Sequence, residues 1–340
     1  MEGQMTANRN LKRQVRARAA KTGESYTTAL RHVRPAPSGG AKPGAFGVRL
    51  AVAQTIVHHD PGNFVELRES GHQVRRLMRE AHQAGARIVH FTEGASCFPH
   101  KRVMSVEGPG RIGPADWSRF AWGVLRQELA ATAELARELM LWTVLGSTHR
   151  LTPPHRPHNS LYVISDRGDV ATRYDERMLS DTKVSYMYTP GSTPVTFEVD
   201  AVRFGCALGM EVHFPEIFSE YERLDVDCVL FSTTGGAPGS GAAFATEAQG
   251  HAATNGYWTS FSVPAQHSTI TPSGVIGPGG EWAAQCSRDQ RPAVVVVDID
   301  RDPADHANPQ ARLWRRNARA GLYDDYFAEH DPRSDDRSEF

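Results

Sequence analysis

A glutamate at the end of an apolar strand is the first residue in this chain that invites a chemical reading. Glu93 follows the run Ala86–Thr92 (ARIVHFT) directly, and a carboxylate delivered into an apolar interior is costly unless it is paired or used. In a pocket it can act as a general base; the alternative is a solvated strand end. Cys97 lies close behind it and is the thiol nearest to that predicted pocket mouth. Cys206, Cys228 and Cys286 are scattered and form no Cys-x-x-Cys pair, so neither a zinc site nor a disulfide framework is expected. His149, His155 and His158 surround Pro153, Pro154 and Pro157. That is a loop rather than a regular element presenting ligands, and no metal or other cofactor is expected. The segment Thr233–Gly241 (TTGGAPGSG) can expose backbone N–H groups. It lacks the Gly-Lys-Ser/Thr ending of a phosphate loop and reads as turn structure at a pocket rim.

These residues need elements to hold them. Val48–Gln54 (VRLAVAQ) is a short apolar run of the buried-strand kind. Val74, Leu77, Met78 and Ala81 share one face of a helix predicted over residues 63–84, ending near Gly85. A second helix is predicted from Trp117 to Met140, followed by a strand over Leu141–Gly146. Ser160–Ser165 and Val170–Tyr174 flank Asp166–Asp169, and Thr196–Val199 and Val202–Leu208 flank Asp200–Ala201; both patterns predict hairpins. A helix opening at Ile217–Tyr221, a strand over Asp227–Phe231 and a helix over Phe244–Thr254 follow. The strand Tyr257–Val263, a glycine-rich hairpin around Gly274–Gly280 and the strand Ala293–Asp298 complete the series. Strands alternating with helices, with hairpins among them, imply a mixed sheet under helices or two sheets between helical layers.

Composition narrows the partners. The chain has 340 residues, 40% hydrophobic and 23% charged, with a formal net charge of -1, so whole-chain electrostatics favour neither nucleic acid nor an anionic membrane surface. Apolar stretches such as Cys228–Phe231 and Ala293–Val297 fall far short of the ~20 residues that span a bilayer. A cytoplasmic protein is expected. Residues 1–45 carry Arg9, Lys12, Arg13, Arg16, Arg18, Lys21, Arg31, Arg34 and Lys42 against Glu2 and Glu24. They read as a basic, disordered arm, or as an arm that docks on a partner. One domain is expected over residues 46–325 and a polar tail over 326–340.

In order along the chain, Phe91–Phe98 (FTEGASCF), His158–Leu179 (HNSLYVISDRGDVATRYDERML), Arg203–Glu216 (RFGCALGMEVHFPE) and Ser273–Glu281 (SGVIGPGGE) resemble landmarks of the nitrilase superfamily of carbon–nitrogen hydrolases. The resemblance covers roughly Val48 to Tyr323. It implies an α/β fold of the α-β-β-α sandwich type, paired into a homodimer or higher homo-oligomer. It also implies a small-molecule pocket for amide- or nitrile-like compounds. The family chemistry is covalent: a thiolate attacks the carbon, a lysine stabilises the developing charge, and glutamate-activated water frees the acid.

Measured against that resemblance, Glu93 takes the position of the catalytic glutamate. Tyr174 and Leu179 frame the lysine segment and put Glu176 where the lysine belongs. Arg177 alternates to the other face, and Lys183 reaches inward only if the following loop departs from the usual course. Thr182–Pro190 offers no carboxylate for the supporting glutamate. Phe204-Gly205 and Phe214-Pro215-Glu216 put Gly209 at the cysteine position, and glycine cannot form an acyl-enzyme. Cys206, roughly 10 Å away by strand rise, faces the other way and reads as core. Glu211 and His213 belong to the same elbow and are pocket candidates beside Cys97. Glu93 and Glu176 in one pocket repel, and one resists ionisation unless a cation intervenes. Three readings stay open: a fold that keeps its pocket and has given up hydrolysis, a repurposed carboxylate site built on Glu93 and Glu176, and an amidase with Cys97 as a relocated nucleophile.

Overall fold

Alternation of buried side chains along the strands builds two sheets that share one interior. The computed structural model describes residues 47–235, 241–300, 311–326 and 331–335. The basic arm and most of the expected tail lie outside the described residues. The first sheet has the order β12-β1-β2-β3-β4-β5, with β1 at Gly47–Gln54, β2 at Ile88–His90, β3 at Trp142–His149, β4 at His158–Ile164, β5 at Val170–Asp175 and β12 at Ala293–Asp300. The second has the order β11-β10-β9-β8-β7-β6, with β6 at Thr196–Val199, β7 at Val202–Leu208, β8 at Cys228–Ser232, β9 at Trp258–Ser262, β10 at Gly274–Ile276 and β11 at Trp282–Gln285. The central pairs β1/β2, β2/β3, β7/β8 and β8/β9 are parallel, and the outer pairs are antiparallel.

Leu50, Val52, Ile88, Val144 and Leu161 of the first sheet meet Phe204, Cys206, Leu208, Leu230 and Val275 of the second in one buried cluster. The alternate residues face outward under helices. Ala51, Val89 and Leu145 pack beneath α1 (Phe64–Gln83) and α3 (Trp122–Leu139). Val229, Phe231 and Phe261 pack beneath α4 (Pro215–Arg223) and α5 (Gly241–Asn255). A short helix α2 (Lys101–Met104) lies between α1 and α3 in the chain. The result is the expected α-β-β-α sandwich. Cys206 is core, as its strand position implies.

Local chemistry sets the boundaries. Asn63 caps α1 by accepting from the N–H groups of Val65 and Glu66 at 3.1 and 3.3 Å, which satisfies N–H groups that the helix cannot. Asp200 and Ala201 both take positive φ, 49° and 68°, the geometry of a two-residue hairpin turn. The helix predicted over Trp117–Met140 is interrupted: Trp117–Arg119 is a separate 3-10 turn and α3 starts at Trp122. Asp116 caps that turn through Ser118, and stacking of Phe120 on Trp122 at 4.1 Å packs the break. No described helix is long and apolar enough to cross a membrane.

Candidate functional site

Glu93 leaves the end of β2 in a turn that presses against β3. A Cβ on Gly146 would lie 2.1 Å from the Thr92 carbonyl and 2.7 Å from the Gly94 nitrogen, so only glycine lets the turn approach this closely. The Glu93 carboxylate is thereby fully buried. Its Oε2 accepts from the Thr234 N–H at 2.7 Å, and its Oε1 accepts from Asn159 Nδ2 at 2.8 Å and Lys183 Nζ at 2.7 Å.

Glu176 arrives from the opposite side, just beyond β5, and is also buried. Its Oε2 accepts from the same two donors, Asn159 Nδ2 at 2.6 Å and Lys183 Nζ at 2.7 Å. One amide and one ammonium therefore bridge two carboxylates in a closed ring. The cation of this ring is Lys183, which reaches inward from the chain beyond β5. The reason is a π-helical turn over Lys183–Met187, which turns a side chain inward from the segment where the resemblance places the supporting glutamate. Such insertions re-aim side chains in ways no strand or helix period foretells.

Gly209 lies at the end of β7 with φ +58°, in the left-handed region. A Cβ there would fall 2.3 Å from Glu176 Oε1 and 3.0 Å from Lys183 Nζ. The space a side chain at residue 209 would enter is filled by the Glu176 carboxyl group. That same oxygen, Oε1, has no hydrogen-bond partner among the described residues, an unusual condition for a buried carboxyl.

Charge follows from this packing. Burial pushes Glu176 up to about 7; Lys183 opposes the rise, while Glu93 and Glu211 reinforce it. Burial works against the Lys183 ammonium, yet Glu176 and Glu93 outweigh it and hold the pKa well above the usual lysine range. The cation anticipated as the condition for two facing carboxylates is present, and Glu176 still carries the cost of desolvation.

Above the ring opens a cavity of about 740 Å3, with Glu93, Lys183 and Gly209 in its wall and His59, Lys101 and Phe98 among its other lining residues. That volume suits a small molecule. Lys101 Nζ donates to Thr182 Oγ1 at 2.8 Å, and the His59 and His100 rings meet edge-on with centroids 5.7 Å apart. Thr233 and Thr234 line the cavity, in keeping with the rim assigned to Thr233–Gly241; residues 236–240 lie outside the described residues. Among the described residues no His/Cys/Asp/Glu group is arranged to hold a metal ion.

Three pocket candidates sit elsewhere. Glu211 is fully buried behind the cavity, accepting from the N–H groups of Leu208, Arg177 and Met178 and from the Tyr174 hydroxyl, at 2.6–3.3 Å. It ties the end of β7 to the end of β5, which sets Gly209 against Glu176. His213 turns away to Glu247, 2.6 Å from its Nδ1, and lies edge-on to Phe244. Cys97 is buried with Leu67, Phe120 and Leu125, its Sγ 3.7 Å from the His58 carbonyl. Burial raises its pKa, and Asp60 and Glu66 raise it further, so a thiolate is disfavoured. Arg177 pairs with Glu220 at 2.8 Å, away from the cavity.

Asn159, which bridges the two carboxylates, is not among the residues the sequence points to. It stands in the Asn-Ser pair that opens the His158–Leu179 segment, and that pair was the available signal.

The model of the carbon–nitrogen hydrolase family matches residues 49–307. No curated protein sequence matches the chain. Among solved structures, a cysteine-to-alanine variant of the Nesterenkonia AN1 amidase from the nitrilase superfamily is similar, with 17% identity, TM-score 0.61, and coverage of 85% of this chain and 100% of that one. A glutamate-to-glutamine variant of the Nesterenkonia amidase, carrying the acetamide moiety of fluoroacetamide on its active-site cysteine, gives 16% identity, TM-score 0.60, and 85% and 100% coverage. The C. elegans NitFhit protein gives 17% identity and TM-score 0.64 over 82% of this chain and 65% of that one. At these identities the structures speak for the fold, and the family match speaks for descent: this chain belongs to the carbon–nitrogen hydrolase family.

Proposed function

We propose that this protein binds a small amide- or nitrile-like molecule in the 740 Å3 cavity and does not form a thioester with it. The observation that carries the reading is the occupancy at Gly209, where a Cβ would meet Glu176 Oε1 at 2.3 Å. Residue 209 brings no thiol, and the carboxyl group fills the place one would take. Glu93 and Lys183 supply polar groups in the cavity wall, and Asn159 and Glu176 hold them from behind. Self-association and a cytoplasmic setting belong to this proposal too; light scattering of the purified chain tests the former.

A second reading is favoured by the pair of carboxylates that shares Lys183. Glu93 lines the cavity and is suited to take a proton from a water as that water attacks an amide carbon, with Glu176 bridged to it through Asn159 and Lys183. Lys183 lies beside the oxygen that gains charge, and the protonated carboxyl then returns its proton to the departing nitrogen as the C–N bond breaks. The products are an acid and an amine.

Calorimetric titration with butyramide, propionitrile and a ureido acid, run beside an ammonia-release assay, separates these readings. Binding without ammonia release supports the first. Release that withstands iodoacetamide and disappears in both Glu93→Gln and Glu176→Gln supports the second. Release abolished by iodoacetamide and by Cys97→Ser contradicts both.

A further inference from the structure

On the outer face of the first sheet, away from the Glu93 site, a second cavity of about 320 Å3 lies between α3 and the strands β3 and β4. Trp122, Leu125 and Leu129 give it an apolar wall, and Arg126, Arg150 and Tyr162 give it polar groups. The Arg150 guanidinium sits 5.3 Å above the Trp122 ring. Neither Arg126 nor Arg150 has a carboxylate partner among the described residues.

The hydrogen-bond chain behind Tyr162 fixes what its hydroxyl can do. Arg173 grips Asp175 with two bonds, at 2.8 and 2.9 Å, and Asp175 also accepts from Ser160 at 2.6 Å. The same guanidinium lies 2.8 Å from His149 Nε2. Arginine has only donors, so Nε2 must accept. The proton of the neutral imidazole therefore resides on Nδ1, which lies 2.6 Å from the Tyr162 oxygen and donates to it. Burial and the Arg173 charge both lower the His149 pKa, which keeps the ring neutral. The Tyr162 oxygen is thus an acceptor toward His149, and its own O–H proton has no acceptor among the described residues. It is left to point into the cavity it lines.

We propose that this cavity is a binding site for a small anion with an apolar body, of the class of single-ring or short-chain carboxylates. The Tyr162 hydroxyl and the Arg150 and Arg126 guanidiniums donate to the anionic group, while Trp122, Leu125 and Leu129 cover the body. Cations and a committed donor around an apolar floor match a carboxylate and disfavour a neutral amide, which offers less charge to them. The site shares no lining residue with the large cavity.

The test uses benzoate as the probe, with benzamide as its neutral counterpart, followed by calorimetry and by tryptophan fluorescence, since Trp122 lies in the wall. Benzoate binds and perturbs the fluorescence, and benzamide binds at least about tenfold more weakly. Arg150→Gln, at an exposed position, and Tyr162→Phe each weaken benzoate by about tenfold, the usual worth of a charge-assisted hydrogen bond. Glu93→Gln leaves the affinity unchanged, and the fluorescence response disappears in Trp122→Phe. The proposal is overturned by no benzoate binding at millimolar concentration, by equal affinity for benzamide, or by affinity indifferent to Arg150→Gln and Tyr162→Phe. Loss of benzoate binding in Glu93→Gln would also overturn it, by assigning the ligand to the larger cavity.

Discussion

The floor of the large cavity and the scaffold that surrounds it are held together differently. In the scaffold, Glu211 binds the N–H groups of Leu208 and Arg177 and joins β7 to β5, and Gly146 admits the Glu93 turn. At the floor, Glu93 and Glu176 share the Lys183 ammonium, and Gly209 carries no side chain where the Glu176 carboxyl group lies. The two carboxylates and the ammonium are linked by contacts of 2.7 Å, so they form one coupled set of charges. The lesson is that two carboxylates can be buried side by side when a cation bridges them and the neighbouring position leaves them room.

That contrast can be broken at the floor first. Lys183→Met leaves Glu93 and Glu176 buried without their shared cation, and urea denaturation should show a loss of about 3–5 kcal/mol. A loss below ~1 kcal/mol, the ordinary worth of an exposed ion pair, would mean that the ring is not a coupled unit. In the scaffold, Glu211→Ala strips several buried donors of their acceptor, with an expected cost of about 2–4 kcal/mol. If its role is positional, it should also weaken ligand binding in the large cavity, although Glu211 does not line that cavity.

Acidity sharpens the comparison further. The folded pKa of Glu176, about 7, exceeds the ordinary 4.5, so the unfolded chain gives up this proton first as pH rises. The group's contribution is therefore fully present below about 4.5 and is lost as pH approaches 7. The expected decline is on the order of 1–3 kcal/mol. Denaturation at a series of pH values should show it in the wild type and a flatter profile in Glu176→Gln; identical slopes would count against a buried, strained carboxyl. The smallest effect is expected at Cys97. Cys97→Ala should cost about 1 kcal/mol, a modest packing loss, and leave ligand affinity unchanged.

Much of this was legible in the sequence, for identifiable reasons. Strands such as Val48–Gln54 and the two early hairpins carry their pattern in short-range periodicity and turn residues, and they form close to where that pattern puts them. That Glu93, Glu176 and Gly209 come together was legible because flanking segments hold a strand register, in which one residue of slip reverses every side chain. Lys183 was harder because a π-helical turn aims it, and no residue type announces such a turn. The roles of Glu211 and Cys97 depended on which side of a wall each faces. That is decided by packing across distant segments, such as Cys97 against Phe120 and Leu125.

The central claim is that Glu176 fills the space beside Gly209, and a double-mutant cycle between positions 209 and 176 tests it most directly. Gly209→Ala, Glu176→Ala and the double variant are compared with the wild type by urea denaturation. Part of the cost of Gly209→Ala is its left-handed backbone and is the same in both backgrounds. The account predicts that the remaining cost vanishes once Glu176 is truncated, giving a coupling of about 2 kcal/mol or more. Additive effects within ~0.5 kcal/mol would contradict it, because the space beside Gly209 would then be free for a side chain whatever residue 176 carries.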